Sequence, residues 1–367
     1  MQRGYISFVK NMKKIKTIIL SNEVEDDHLP WIKACDGYKD QIEYRVLDLT
    51  KNSWLEDIQS NSFDILLAKP GGLTALFKQL YDERIYILNK VLGYLVYPSA
   101  DEIYIYENKR FLSFWLKANN VPCPRTDVFY NRKEAIDFVN AQDFPIVGKV
   151  NIGASGSGVS ILKDREAAID YINRTFSGKG ARRRSGPNMS KGGLFKRGLH
   201  YLAYPGDISK KLNIYKTIGS YPQTDFVIFQ EYIPHDFEWR VVRIGDSFFA
   251  HKKLKIGEKA SGALLKGYEN PPLALLDFVK EITDKHKFYS QAIDIFESTR
   301  GFLVNEMQCI FGQSDPYQML VNAKEGRYRF YEGRWLFEYG KFNNNECYNL
   351  RVEYVIQNFQ KNEGSFY

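Results

Sequence analysis

Two short runs place oxygen donors where a divalent cation could use them. "SQAIDIFE" carries Asp294, and "GFLVNEMQ" carries Glu306 and Gln308. Read as strands joined at Ser298-Thr299-Arg300-Gly301, their period of two puts Glu306 and Gln308 on one face. Hairpin pairing can then set Asp294 alongside. Two carboxylates and an amide oxygen are hard donors suited to Mg²⁺, which keeps several waters and bridges to nucleotide phosphates. Charged residues on a strand ordinarily mark a solvated face. The runs "AIDIF" and "FLVNEM" are too apolar for that, and acids placed among such residues need a partner.

A second constellation is "FPIVGKVNIGASGSGVSIL", Phe144 to Leu162. An apolar run ends in Lys149, and a loop of small residues follows: Gly153, Ser155, Gly156, Ser157 and Gly158. Its glycines read G-x-x-G-x-G, which is neither the P-loop order nor the dinucleotide order. Small residues still let backbone N–H groups close on phosphate oxygens. Lys149 is either a snorkelling surface lysine or a cation aimed at phosphate, and the adjacent loop favours the second.

Between these lies "VIFQEYIPHDFEWRV". A segment such as Gln230, Glu231, Tyr232 and Ile233 can offer backbone groups to an adenine edge, and Glu238 can accept from ribose hydroxyls. The plainer reading is a core strand with a charged edge. Arg240 follows, and alternation along "SFFAHKKLK" places His251, Lys253 and Lys255 on one face. Cations there could stabilise a phosphoryl group in transit.

These residues need scaffolding, and the chain of 367 residues, 44% hydrophobic and 15% aromatic, is long enough for two or three domains. Runs at 15–20, 42–47 and 63–67 read as strands separated by helix-like stretches at 27–34 and 54–59, a parallel α/β unit. Residues 108–118 then read as an amphipathic helix, followed by a strand at 126–130 and a helix at 132–140. The glycine loop sits between two strands as a hairpin, and a helix covers 165–174. After residue 225 come a hairpin turning at Gly245-Asp246, a helix at 273–285 and the acidic strand pair. "RYRFYEGRWLFE" closes as a hairpin at Glu332-Gly333. The expected division is an N-terminal Rossmann-like unit at 1–107, a unit carrying the glycine loop at 108–229, and a unit with the acidic strands and an aromatic tail at 230–367. The class is α/β joined to α+β.

The totals exclude several functions. No apolar run approaches the length of a membrane span, and the basic N-terminus lacks the apolar core of a secretion signal. Cys35, Cys123, Cys309 and Cys347 are scattered, which fits neither a zinc site nor a disulfide framework and suits a reducing cytoplasm. The net charge of +7 concentrates in residues 179–198, with Arg182, Arg183 and Arg184. That stretch is a solvated loop, a nucleic-acid contact or a cover for an anionic substrate. A single aromatic, Phe195, lies among its charges, which gives base stacking little support.

In this order the pieces resemble the ATP-grasp superfamily. "ENKRF" supplies the family's lysine before a helix, here Lys109, and "VPCPRT" its proline-rich entry. The strand ending in Lys149 precedes the lid loop. "FQEYIPHDFEWRV" is similar to the hinge of ribosomal-protein glutamate ligases. Glu231 and Glu238 keep the seven-residue interval (238 − 231) of D-alanine–D-alanine ligases, and Asp294 and Glu306 the twelve-residue interval (306 − 294) of the glutamate-ligase branch. The resemblance implies an ATP-grasp fold over about 105–312, preceded by a Rossmann-like domain. Lys109 and Lys149 would meet phosphates, residues 230–233 the adenine, Glu238 the ribose, and Asp294, Glu306 and Gln308 the magnesium ions. Gln308 stands where the family usually has asparagine.

Such enzymes activate a carboxylate with MgATP and join it to an amine, so the implied activity is a carboxylate–amine ligase. Arg240, Lys253 and Lys255 are its candidate catalytic cations. Its substrates would be small molecules, anionic or sugar-linked, and a homo-oligomer stays open. The alternatives are a kinase on the same fold and a nucleotide-binding protein without catalysis.

Overall fold

Apolar β-branched runs alternate with amphipathic segments over the first hundred residues, and they form a parallel sheet. The structure, a computed structural model, describes residues 13–153, 158–181, 216–217, 221–256, 259–260, 265–313 and 315–361. Strands β1 (Ile15–Ser21), β2 (Ile42–Asp48), β3 (Ile65–Ala68) and β4 (Val96–Tyr97) lie in the order β2-β1-β3-β4. All pairings in it are parallel. Helices α1 (Leu29–Asp36), α2 (Trp54–Gln59), α3 (Ala75–Tyr86, extended by a π turn at Ile87–Val91) and α4 (Ala100–Ile105) connect and flank them.

α5 (Lys109–Ala118) starts one residue after its cap, Asn108, whose side chain accepts from the Phe111 N–H. Beyond it, β5 (Thr126–Phe129), β6 (Ile146–Lys149), β7 (Val159–Leu162) and β8 (Val227–Glu231) form an antiparallel sheet in the order β5-β8-β6-β7. α6 (Arg132–Asn140) and α7 (Arg165–Phe176) pack against it around Phe129, Phe229 and Tyr171. The glycine loop therefore connects two adjacent strands, β6 and β7.

A third sheet, nine-stranded among the described residues, carries the acidic hairpin. It comprises β9 (Phe237–Ile244), β10 (Ser247–Ile256), β11 (Lys259–Ala260), β12 (Lys266–Gly267), β13 (Ser290–Ser298), β14 (Gly301–Gln308), β15 (Leu320–Val321), β16 (Lys324–Tyr331) and β17 (Arg334–Tyr339). The main path runs β14-β13-β9-β10-β16-β15, with β17 on β16. α8 (Leu273–His286) buries Leu275, Leu276 and Val279 in the core of this sheet.

The aromatic C-terminal region is more than a hairpin. Its last described element is α9 (Tyr348–Lys361), which returns to the parallel sheet and packs Tyr348, Val352, Val355 and Ile356 into its core beside Trp31. Arg351 on α9 is fully buried; its Nε donates to Ser290 Oγ at 2.9 Å, tying α9 to β13. Among the described residues no helix is long and apolar enough to cross a membrane.

Candidate functional site

Strand register builds the centre of the site. Glu306 on β14 lies opposite Asp294 on β13, Asp294 opposite Arg240 on β9, and Arg240 opposite His251 on β10. One row of polar side chains thus crosses four strands. One step along, Glu238 lies opposite Lys253. The register of β13 and β14 shifts between Asp294 and Ile295: Asp294 pairs with Glu306, but Ile295 pairs with Val304. Asn305 is the extra residue of this bulge, and it reaches the row that strict alternation would deny it.

Arg240 grips Asp294 with both ends of its fork, Nε to Oδ1 at 2.7 Å and Nη2 to Oδ2 at 2.9 Å. Lys253 Nζ donates to the same Oδ2 at 2.6 Å and to Glu238 Oε2 at 2.8 Å. These two cations hold the Asp294 carboxyl well below the usual carboxylate range, against the opposing pull of its burial. The same carboxylates raise Lys253 and Arg240 against their own burial.

The lid-side lysines approach from the other sheet. Lys149, the last residue of β6, donates to Asn305 Oδ1 at 2.8 Å, and Asn305 Nδ2 donates to Glu238 Oε1 at 3.3 Å. Burial pushes Lys149 down to about 8, with Glu306 opposing the shift. Lys109, at the start of α5, donates to the Gly153 carbonyl at 2.9 Å and lies 3.3 Å from Glu306 Oε1. Lys109 and, to a smaller extent, Lys253 and Lys149 depress Glu306 against its burial.

Glu107 belongs to this network too, although nothing in the sequence singles it out. Its Oε2 accepts from the Gly153 N–H at 3.1 Å and lies 3.9 Å from Lys109; its Oε1 accepts from Gln308 Nε2 at 3.4 Å. Gln308 Oε1 in turn accepts from Arg240 at 3.4 Å. Lys109, Lys149, Arg240 and Lys253 therefore face Glu107, Glu238, Asp294 and Glu306, charge for charge. A balanced set is what allows so many ions to be buried together.

Other candidates lie apart from this centre. Gln230 turns its side chain to Thr126 Oγ1 at 3.0 Å, within its own sheet. Glu231 accepts from the Arg125 N–H at 2.7 Å and pairs with Arg300 at the rim. Tyr232 accepts from Lys255 at 3.3 Å, so Lys255 faces the segment after β8 rather than the carboxylates. Ile233 packs with Phe296 and Leu303. His251 is buried, its Nδ1 donates to the Gln318 carbonyl at 2.9 Å, and burial pushes it down to about 3. Gly158 closes against Val150: a Cβ there would stand 2.0 Å from Val150 Cγ2. Ser155, Gly156 and Ser157, and the basic stretch from Arg182 to Gly198, lie outside the described residues.

Among the described residues no group of three or more His, Cys, Asp or Glu side chains is placed to hold a metal ion. Asp294 Oδ1 accepts from Arg240, and a carboxylate oxygen has two lone-pair sites. Glu306 is the carboxylate directly across the hairpin. Arg240 and Lys253 fix the Asp294 carboxylate in orientation.

No protein-family model matches the chain. A segment of 83 residues, 22% of the chain, is 31% identical to the trifunctional purine biosynthetic protein adenosine-3 of Bos taurus, and spans 8% of that protein's length. Among solved structures, the chain is similar to a RimK domain protein ATP-grasp from Sphaerobacter thermophilus. The identity is 15% and the TM-score 0.50, over 80% of this chain and 90% of that one. It is also similar to the biotin carboxylase domain of the Hydrogenobacter thermophilus 2-oxoglutarate carboxylase, solved in complex with MgADP and bicarbonate. There the identity is 12% and the TM-score 0.54, over 84% of this chain and 66% of that one.

Proposed function

We propose that this chain, which has the ATP-grasp fold, is an ATP-dependent ligase that activates a carboxylate and joins it to an amine. The observation that carries the reading is the in-register row Glu306, Asp294, Arg240, met by Lys149 through Asn305. That arrangement concentrates fixed cations and hard oxygen donors in one buried place, as phosphoryl transfer requires.

Lys109 and Lys149 are the proposed phosphate contacts, and the Gly153–Gly158 loop between β6 and β7 the cover over them. Gln230 and Glu231, the last residues of β8, and Tyr232 and Ile233 after it are proposed to meet the adenine through their backbone, with Glu238 toward the ribose. Asp294, Glu306 and Gln308 are the residues that would hold Mg²⁺. The metal, when bound, neutralises phosphate oxygens. Charge accounting supports the pairing: the network is balanced as it stands, and a nucleotide triphosphate with two divalent cations adds no net charge.

In the proposed reaction a substrate carboxylate oxygen attacks the γ-phosphorus and the bond to ADP breaks. The amine then attacks the acylphosphate carbonyl, an amide forms, and phosphate leaves with the activated oxygen. Arg240 and Lys253 are the cations proposed to meet the charge that develops on the transferred group. No side-chain nucleophile is needed, since the enzyme's part is positioning and charge neutralisation. Lys255, directed at Tyr232, is placed to brace the segment after β8.

The test has two stages. Mg²⁺-ADP should stabilise the wild type by about 2.7 kcal/mol at a hundredfold excess over its dissociation constant, and Lys149→Met should lose the effect. A panel of amino acids and sugar acids, paired with amines, is then scored for ADP release and for a new amide by mass. No thermal shift at millimolar nucleotide and magnesium would overturn nucleotide binding. ADP release with a phosphorylated acceptor and no amide would replace the ligase with a kinase.

A further inference from the structure

Two strands at the margins of the third sheet, β14 and β17, are treated differently. β14 is covered at Val304, whose N–H donates to the Pro122 carbonyl at 2.8 Å. β17 pairs with β16 alone among the described residues. It presents six residues of extended chain, "RWLFEY", rich in apolar side chains. Uncovered edges of this kind are templates for another strand.

We propose that β17 pairs antiparallel with β17 of a second copy of this chain, about a two-fold axis through Leu336, so that the sheet continues across the dimer. Three observations select the occupant and the register. First, the hairpin turns at Glu332-Gly333 with Tyr331 opposite Arg334, and the Gly340 N–H donates to the Glu325 carbonyl at 3.1 Å. Backbone groups of even-numbered residues therefore point at β16, and those of Trp335, Phe337 and Tyr339 point outward. A two-fold through Leu336 sets Trp335 opposite the partner's Phe337 as a hydrogen-bonded pair on each side. Leu336 meets its own copy as the closely spaced pair between them.

Second, this register is complementary in charge. Arg334 and Glu338 lie two residues either side of Leu336, so each Arg334 comes opposite the other copy's Glu338. Glu338 Oε2 already accepts from Arg327, Nε at 2.9 Å and Nη2 at 2.8 Å, which leaves Oε1 to receive a second guanidinium. Moving the axis to Phe337 would set Arg334 opposite Gly340 and forfeit both ion pairs.

Third, large apolar side chains are exposed between and beside these charges. Leu336 is 40% exposed, Tyr331 59% and Tyr339 60%. An isologous contact buries this patch twice over, as two-fold interfaces do.

The experiment is sedimentation velocity on the full chain, wild type and variants, from low to high micromolar concentration. The wild type should sediment as a dimer. Arg334→Glu and Glu338→Arg each set like charges opposite one another at two places, and each should weaken dimerisation by about tenfold or more. The double variant Arg334→Glu/Glu338→Arg restores opposite charges and should restore the dimer. Far-UV circular dichroism checks that each variant is folded. A monomeric wild type overturns the proposal, as does a dimer that both single variants leave unchanged. Failure of the folded double variant to recover also overturns it, because a general surface effect is not reversed by a charge swap.

Discussion

Arg240 holds both oxygens of Asp294, at 2.7 and 2.9 Å, from the neighbouring strand and in direct register. Lys253 holds one of them again at 2.6 Å. Buried in this way, the carboxylate stabilises the fold only so long as it is ionised, and its two cations depend on it equally.

Asp294→Asn should therefore destabilise the protein by about 3–5 kcal/mol, because it leaves two buried cations short of their counter-charge. The pH dependence has a definite sign. The folded-state carboxyl is depressed, so its contribution is present above the ordinary aspartate range and is lost as pH falls through the lower folded value. Urea unfolding from pH 7 down to 3 should show a stability loss in the wild type that is smaller in Asp294→Asn. A change of under about 1 kcal/mol at pH 7 would mean the pair is not held as described.

Lys149 has the opposite signature. Its folded pKa is depressed from 10.5 to about 8, so at neutral pH the protein carries a buried charge that its fold disfavours. The penalty is absent above pH 10.5 and grows as pH falls toward 8. Lys149→Met should accordingly raise the melting temperature of the nucleotide-free protein at pH 7, by up to about 3 kcal/mol in stability. The gain should shrink by pH 10, and the Mg²⁺-ADP shift should vanish at every pH. Stability sacrificed at one residue for binding is what a functional lysine predicts. Loss of stability together with loss of binding would show that Lys149 is structural.

Asn305 should prove to act through that lysine. Asn305→Ala removes the acceptor of a buried ammonium, which costs about 1–3 kcal/mol. In the Lys149→Met background the same change should cost much less, because the ammonium is gone. Thermal melts of the four proteins give the coupling directly. Additive effects would mean that the 2.8 Å contact carries no weight.

Much of this was legible beforehand, and the exceptions have physical reasons. Asp294, Glu306 and Gln308 were placed by period two and a hairpin, and both hold because β13 and β14 keep alternation on either side of the bulge. Asn305 was invisible, because the extra residue that turns it inward leaves no mark in the apolar pattern. Glu107 was invisible for another reason: it sits in a connection with φ at 49°, and its partner Gly153 is 46 residues away. The helix α9 was hidden by its setting, since its aromatics match the strands that precede it. Residues of β8 were read as one segment, yet Gln230 turns into its own sheet while Glu231 reaches the rim. Backbone position is readable from pattern, and side-chain direction at the end of a strand is not.

The glycine loop supplies the last test, because Gly158 has a structural reason distinct from phosphate. The Val150 N–H donates to the Gly158 carbonyl at 2.9 Å, and this closes the base of the loop so tightly that a Cβ at 158 would overlap Val150 Cγ2 at 2.0 Å. Gly158→Ala forces Val150 or the backbone to move and should cost about 1–3 kcal/mol. Shortening the neighbour relieves the overlap, so Val150→Ala/Gly158→Ala should recover a good part of that loss even though each single change destabilises. Urea denaturation of wild type, both singles and the double measures the coupling. A double variant no better than the sum of its parts would mean that Gly158 is required for the loop's backbone rather than for its contact with Val150. Nucleotide affinity of the double variant then separates the two roles: retained binding assigns Gly158 to the base of the lid, and lost binding assigns its backbone to the phosphates.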